Sequence, residues 1–164
     1  MAGDAAKKVS ALLFRGMDKM RHSGAFDVGA MTPEGKDFTG FGKTRQILLV
    51  TFKRSGQAMP TPINYGVAEG KLYVRTDAST GKVKRLRNNP RVVVAPSTFR
   101  GKPRGPAVAG IARVLPESAH AHADEVIAAN WSMPMTVLER SLDKGGAAFG
   151  IATAYIEITP APSP

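Results

Sequence analysis

Between Lys71 and Pro90 the chain reads KLYVRTDASTGKVKRLRNNP, and this stretch carries the residue types best suited to holding an anion. Leu72, Tyr73 and Val74 are strand formers, and Asp77 to Gly81 is a cluster of turn residues. Val83 and Leu86 then stand three apart, with Lys84, Arg85 and Arg87 on the other sides, until Asn89-Pro90 stops the pattern. The spacing predicts a strand, a tight turn and a short basic helix. Unpaired amides and the positive dipole end make a helix N-terminus attractive to phosphate. Ser79, Thr80, Gly81 and Lys82 would supply hydroxyls, a close approach and a point charge there. The same residues fit a capped surface helix whose lysines are only solvated. Residue types alone leave both readings open.

Other chemistries find little support. With no cysteine in the chain, disulfides, thiolate metal sites and cysteine nucleophiles are excluded. No nucleophile elbow, Walker loop or dinucleotide fingerprint occurs. His120 and His122 are two apart, which on a helix sends them to different faces rather than to one metal. Tyr65 reads as a packed strand tyrosine before it reads as a proton donor. No residue is assigned acid–base or metal-binding work. A bound cofactor carrying its own hydride chemistry needs only a shaped, dry pocket.

The elements that must position this turn follow from the rest of the chain. At 164 residues the length suits one domain, 1–164. Nothing approaches the ~20 apolar residues of a membrane helix, and Val9 to Phe14 is too short for a signal-peptide core. A cytoplasmic protein is expected. The net charge is +10, and from Lys43 to Arg104 fourteen Lys or Arg face only Glu69 and Asp77. Such a field draws anions. Its aromatic residues are few and scattered, which argues against nucleic acid as the partner.

Residues 1–43 read as an N-terminal segment. Val9, Leu12, Leu13, Met17 and Met20 form the apolar stripe of a helix over 2–21. Ser23 to Gly42 is an irregular connection whose Phe26, Phe38 and Phe41 imply contact with something, such as the mouth of a pocket. Residues 44–159 read as a barrel core. Gln46–Lys53, Met59–Val67, Lys71–Val74, Arg91–Ser97, Pro106–Leu115 and Ile151–Thr159 are strand-like, and 160–164 is a tail. Pro60 and Pro62 should interrupt ladder bonding and turn their strand toward a ligand or an edge. Gly110 marks a bulge or a close contact. Helices are expected over 117–130 and 132–143. Few long crossovers separate the strands, so a small antiparallel barrel with peripheral helices fits better than a doubly wound sheet.

Two runs, GQAMPTPINYGVAEGKLYVRTDASTGKVKRLRNNPRVVVAP and RGKPRGPAVAGIARVL, resemble the flavin and deazaflavin oxidoreductases related to pyridoxamine 5′-phosphate oxidases. Within that superfamily, Thr76 to Pro90 is similar to the branch that uses the deazaflavin coenzyme F420. The resemblance spans roughly residues 45–115. It implies a mainly β fold with peripheral helices, the FMN-binding split β-barrel. It also implies a homodimer with cofactors at the interface and hydride transfer from reduced F420 to an unsaturated small molecule. An FMN enzyme of the same fold, and a non-catalytic module binding F420 or haem, are the alternatives. Carried across by position, Lys82 would bind the cofactor phosphate, with Thr76, Ser79, Thr80, Gly81 and Val83 around it. Pro60, Thr61, Pro62, Ile63 and Asn64 would border the ring. Lys84 and Arg85 would meet the polyglutamate tail of F420, and Arg100, Lys102 and Arg104 are further candidates for it. Trp131 or Tyr155 of a partner subunit would help close the pocket.

Overall fold

The computed structural model describes residues 21–130 and 152–162, together with Lys8 and Leu12. Lys8 and Leu12 are helical and exposed. The rest of the expected N-terminal helix before Arg21, the helical piece over 132–143 and Trp131 lie outside the described residues.

Strands β1 (Gln46–Phe52), β2 (Ala58–Ala68), β3 (Lys71–Asp77), β4 (Arg91–Ser97), β5 (Val108–Val114) and β6 (Thr153–Pro160) close into a barrel in the order β1-β2-β3-β6-β5-β4. Every neighbouring pair is antiparallel. The β2–β3 link is a two-residue turn in which Glu69 (φ 52°) and Gly70 (φ 74°) both take left-handed backbone, the geometry that matches strand twist in a tight hairpin. Alternate residues fill the interior: Ile47 and Leu49, Leu72 and Val74, Val92 and Val94, and Ile156 and Ile158 pack into one cluster. This period of two is why the strands read as strands.

The outer faces are covered in two places, so the strands are more buried than simple alternation implies. Leu48, Val50, Val93 and Ala95 pack under Ala25 and Val28, which belong to the short helix α1 (Gly24–Asp27) and the 3-10 turn after it. On another face Tyr73 and Tyr155 lie beneath Ala123 and Ile127 of helix α3 (His120–Ala129). Helix α3 comes close because β2 offers Gly66: a Cβ there would stand 2.2 Å from the Val126 carbonyl oxygen. Asn130 then ties the end of α3 to β2 by donating to the Tyr65 carbonyl at 2.9 Å. Gly110 serves a close contact as expected, since a Cβ would lie 2.9 Å from Ile158 Cγ2.

The connection over 23–42 corrects the expectation of a pocket mouth. Phe38 and Phe41 sit in the barrel interior, edge to face with each other at 5.2 Å between ring centroids. Phe41 also meets the buried Tyr65. They pack there against the inward strand side chains, such as Ile47, Leu49 and Ile156, and help fill the core. Phe26 stays exposed.

Candidate functional site

The barrel is not sealed along its whole length. Strand β2 pairs with β3 only from Tyr65 to Ala68, the last pair being Tyr65 with Val74. Below it, Ala58 to Asn64 keep only β1 as a partner, while Arg75 to Asp77 keep only β6. The two strands diverge and leave a gap. A cleft of about 480 Å³ opens there, lined by Thr61, Pro62 and Ile63 on one side and Arg75, Thr76 and Asp77 on the other.

This placement explains the two prolines and corrects the expectation that they break the ladder. Pairing with β1 runs without interruption through Pro60 opposite Val50 and Pro62 opposite Leu48. In an antiparallel ladder alternate residues direct their backbone groups away from a given neighbour. Both prolines therefore occupy positions whose missing N–H would have faced the gap, where no strand needs it.

Helix α2 (Gly81–Asn88) begins at the same cleft. Val83 and Leu86 anchor it inward, and Pro90 ends it by restricting Asn89 to extended backbone. Thr80 is the N-cap residue, but its hydroxyl donates to the Asp77 carbonyl at 2.8 Å and no side chain caps the helix amides. Asp77 is committed to the turn: its Oδ1 accepts from the backbone N–H and the hydroxyl of Ser79, each at 2.7 Å. The amide end of α2 thus meets the cleft beside Thr80, Gly81 and Lys82. Lys82 is 8 % exposed although charged. Its neighbour one turn on, Arg85, donates from Nε to the buried Thr51 hydroxyl at 2.7 Å. Burial lowers the Arg85 pKa from its ordinary value, and the group remains a cation at neutral pH.

Of the residues expected at the site, the fold brings Thr61, Pro62, Ile63, Thr76, Thr80, Gly81, Lys82 and Arg85 around one cleft. Five others do not line it. Val83 is fully buried on the inward face of α2, as its spacing with Leu86 requires. Lys84 is exposed, because one residue of helical rotation turns it from the cleft. Ser79 is exposed and closes the Asx turn. Pro60 is buried on β2. Asn64 accepts from Gln46 Nε2 at 3.0 Å and acts through it. Arg100 reaches the cleft, whereas Lys102 and Arg104 do not.

Sequence reasoning missed Arg21, Gln46, Arg75, Asp77 and Phe99, which also line the cleft. Arg75 had a usable signal, since it alternates with Val74 one residue before Thr76. Its guanidinium pairs with Asp124 of α3 at 3.1 Å, and the same carboxylate oxygen accepts from the Tyr155 hydroxyl at 3.0 Å. Tyr155 is therefore a support beneath α3 in its own chain, where it does not line the cleft. Burial, ahead of the nearby Asp124 carboxylate, raises its pKa, although a hydrogen bond with Arg75 acts the other way. Tyr65 is likewise structural: its hydroxyl accepts from the Gly42 N–H at 2.7 Å. His120 packs on Tyr155 and His122 on Tyr73. Among the described residues no group of three His, Asp or Glu could hold a metal ion, and no helix is long and apolar enough to cross a membrane.

The cleft thus gathers five cationic side chains, Arg21, Arg75, Lys82, Arg85 and Arg100, around the single carboxylate of Asp77, with Pro62, Ile63 and Phe99 as apolar wall. An uncapped helix end beside a buried lysine suits a phosphate, and the apolar wall suits a planar ring.

No family model matches the chain, and no curated protein matches it. Solved structures do. One is a candidate 5-nitroimidazole antibiotic resistance protein from Bacteroides thetaiotaomicron, with a TM-score of 0.56 at 12% identity over 80% of this chain and 82% of that one. A conserved hypothetical protein from Mycobacterium tuberculosis, Rv2991, gives 0.53 at 19% identity over 80% and 87%. A Clostridium acetobutylicum protein related to general stress protein 26, of the pyridoxinephosphate oxidase family, gives 0.50 at 17% identity over 71% and 75%. The fold is the split β-barrel. At these identities the likeness speaks for the fold alone, and the split between β2 and β3 is where this barrel keeps its cleft.

Proposed function

We propose that this split barrel is an F420-dependent oxidoreductase that reduces an unsaturated small molecule. The observation that carries the reading is the charge of the cleft: five cationic side chains and one carboxylate line it, Arg75 being paired with Asp124 behind it, and Lys82 is buried at the start of α2. A phosphate is held by Lys82, Thr80 and the amide end of the helix. Thr61, Pro62 and Ile63 flank a planar ring along the open edge of β2. The cationic lining extends beyond what one phosphate requires, and the polyglutamate tail of F420 is an anion that suits it. When bound, the reduced deazaflavin supplies the hydride. The chain's own part is to orient the ring, exclude water from one face and leave the other for the acceptor.

The proposal includes a cytoplasmic homodimer, with a partner subunit completing each cleft. Light scattering should then give twice the chain's mass of 17.4 kDa. The deciding experiment is fluorescence titration of F420 and FMN against the wild type, followed by turnover of F420H2 with a panel of activated alkenes and nitro compounds. Tight F420 binding, weak FMN binding and acceptor-dependent oxidation support the reading. Tighter FMN binding removes the deazaflavin assignment, and binding without turnover on any acceptor makes the protein a carrier.

A further inference from the structure

Gly81 opens α2 in ordinary helical backbone, with none of the positive φ that calls for glycine. Glycine is also the weakest helix former after proline. What its missing side chain provides is space. A Cβ on Gly81 would stand 2.9 Å from Arg85 Nη1 and 3.8 Å from Arg85 Cζ, and would meet nothing else within 4 Å beyond the helix's own backbone. Residues four apart share a helix face, and a helical side chain leans back over the preceding turn. The Arg85 guanidinium therefore fills the place that a side chain at position 81 would take.

The guanidinium is held there from β1. Its Nε donates to the buried Thr51 hydroxyl at 2.7 Å. Nη1 and Nη2 remain as donors, and among the described residues neither has a hydrogen-bond partner. Neither is sealed off: the buried side-chain atoms left unpaired among the described residues belong to Arg21 and Gln46. Arg85 borders both the cleft and a smaller hollow with Lys53, Arg54 and Asn88. Gly81, over which Nη1 lies, lines only the cleft, as do Thr80 and Lys82. The fork thus stands at the cleft beside Lys82. The two cations differ in kind: Lys82 offers a point charge, and Arg85 a planar pair of donors that matches two oxygens of one phosphate.

We infer that Arg85 is a second phosphate ligand beside Lys82, and that Gly81 and Thr51 are the positioning residues that hold its fork at the start of α2. The inference rests on the cofactor reading above and deepens it, because a seat of this kind selects rings that carry a phosphoryl group. It also moves Arg85 from the polyglutamate tail, where the family resemblance put it, to the phosphate. An alanine at position 81 would press on no distant backbone. Its methyl group meets the far end of a flexible side chain, so the fold tolerates it and the guanidinium gives way.

The test measures equilibrium Kd by fluorescence for two pairs of rings that differ by the phosphate alone: riboflavin with FMN, and the deazaflavin alcohol with its 5′-phosphate. The proteins are wild type, Gly81→Ala, Arg85→Met and the double variant. Gly81→Ala should lose about tenfold for the phosphate-bearing member, the lower end of what one bond to a charged group supplies. For the phosphate-free member it should change less than about threefold. Its Tm should equal or exceed the wild-type value, since alanine favours the helix, and a folding defect is then excluded. Arg85→Met should lose at least as much, and adding Gly81→Ala to it should change nothing further. Wild-type affinity for the phosphorylated rings in either single variant overturns the inference. So does an equal loss for both members of a pair, or a Gly81→Ala loss that adds in full to that of Arg85→Met, because the methyl group then blocks the ligand and not the arginine. Lys82→Ala is run alongside: if it loses the phosphorylated rings and Gly81→Ala does not, only the roles of Arg85 and Gly81 fall. If wild type binds neither F420 nor FMN, the cofactor reading has failed and this inference falls with it.

Discussion

The contact between Thr51 and Arg85 offers a quantitative test of how the barrel holds its cleft. Thr51 is 1 % exposed, and its hydroxyl accepts from Arg85 Nε at 2.7 Å. Thr51→Val replaces the hydroxyl by a methyl group of similar volume and leaves that guanidinium N–H without its partner. A hydrogen bond to a charged group contributes about 1.5–3 kcal/mol. Arg85 also lines an open cleft, so water can take over part of the bond. The loss therefore falls at or just below the lower end of that range, about 1–1.5 kcal/mol. For a chain of this size that corresponds to roughly 3–5 °C in Tm. Arg85→Met removes the cation while retaining an apolar stem, and the double variant closes the cycle. Urea unfolding of the four proteins should give a coupling of about 1 kcal/mol. Thr51→Val should also weaken F420 binding severalfold by freeing Arg85. A coupling below about 0.4 kcal/mol, within ordinary additivity, would show that the contact does not position the arginine.

Three further outcomes follow from separate contacts. Lys82→Ala should lose about 10–100-fold in F420 affinity, the equivalent of one charge-assisted phosphate contact. Lys84→Ala, exposed and off the cleft, should change it less than about threefold at physiological salt, where screening is strong over ~8 Å; equal losses would refute the phosphate seat. Gly66→Ala sets a Cβ 2.2 Å from the Val126 carbonyl oxygen and 2.4 Å from its carbon, both backbone atoms that cannot rotate aside. Overpacking of this kind costs about 3 kcal/mol, and a wild-type melting curve would contradict the close approach of α3. Glu157 accepts from Tyr73 at 3.2 Å and pairs with Lys71 at 3.5 Å and Arg113 at 3.1 Å. Burial raises its pKa, but Tyr73, Lys71 and Arg113 together outweigh that and hold it below the ordinary 4.5. A depressed folded-state pKa stabilises above the unfolded value and fades as pH falls through the folded one. Glu157→Gln should therefore be less stable than wild type at pH 7 and converge with it as pH drops below 4.5; a gap independent of pH would dismiss the ionic contribution.

What could be read in advance was whatever the chain encodes locally. The β2–β3 hairpin and helix α2 are set by neighbours in sequence: a Glu-Gly turn, an inward pair of apolar residues three apart and a proline stop. That Thr80, Gly81 and Lys82 stand together at the cleft was legible for the same reason, because they are consecutive. The strands were legible from their period of two. Errors arose where helical rotation decides: Lys82 and Lys84 differ by two residues, and only the fold shows that the first is buried at the cleft and the second exposed.

The cleft's other half depends on pairing between distant strands. Gln46 and Asn64 meet because β1 and β2 lie in one particular register, and a shift of one residue would send both to other faces. Arg75 reaches Asp124 across 49 positions, and no local signal marks an aspartate on α3 as the partner of an arginine on β3. Pro60 and Pro62 show the same dependence from the other side. Alone they suggest a strand with irregular ladder bonding that faces a ligand or an edge. Once β2 is known to pair with β1 and to leave β3 at Tyr65, the prolines are what a gap tolerates and a sealed barrel would not. A residue that cannot donate to a ladder sits where the ladder is absent, and the barrel keeps its split where the cleft opens.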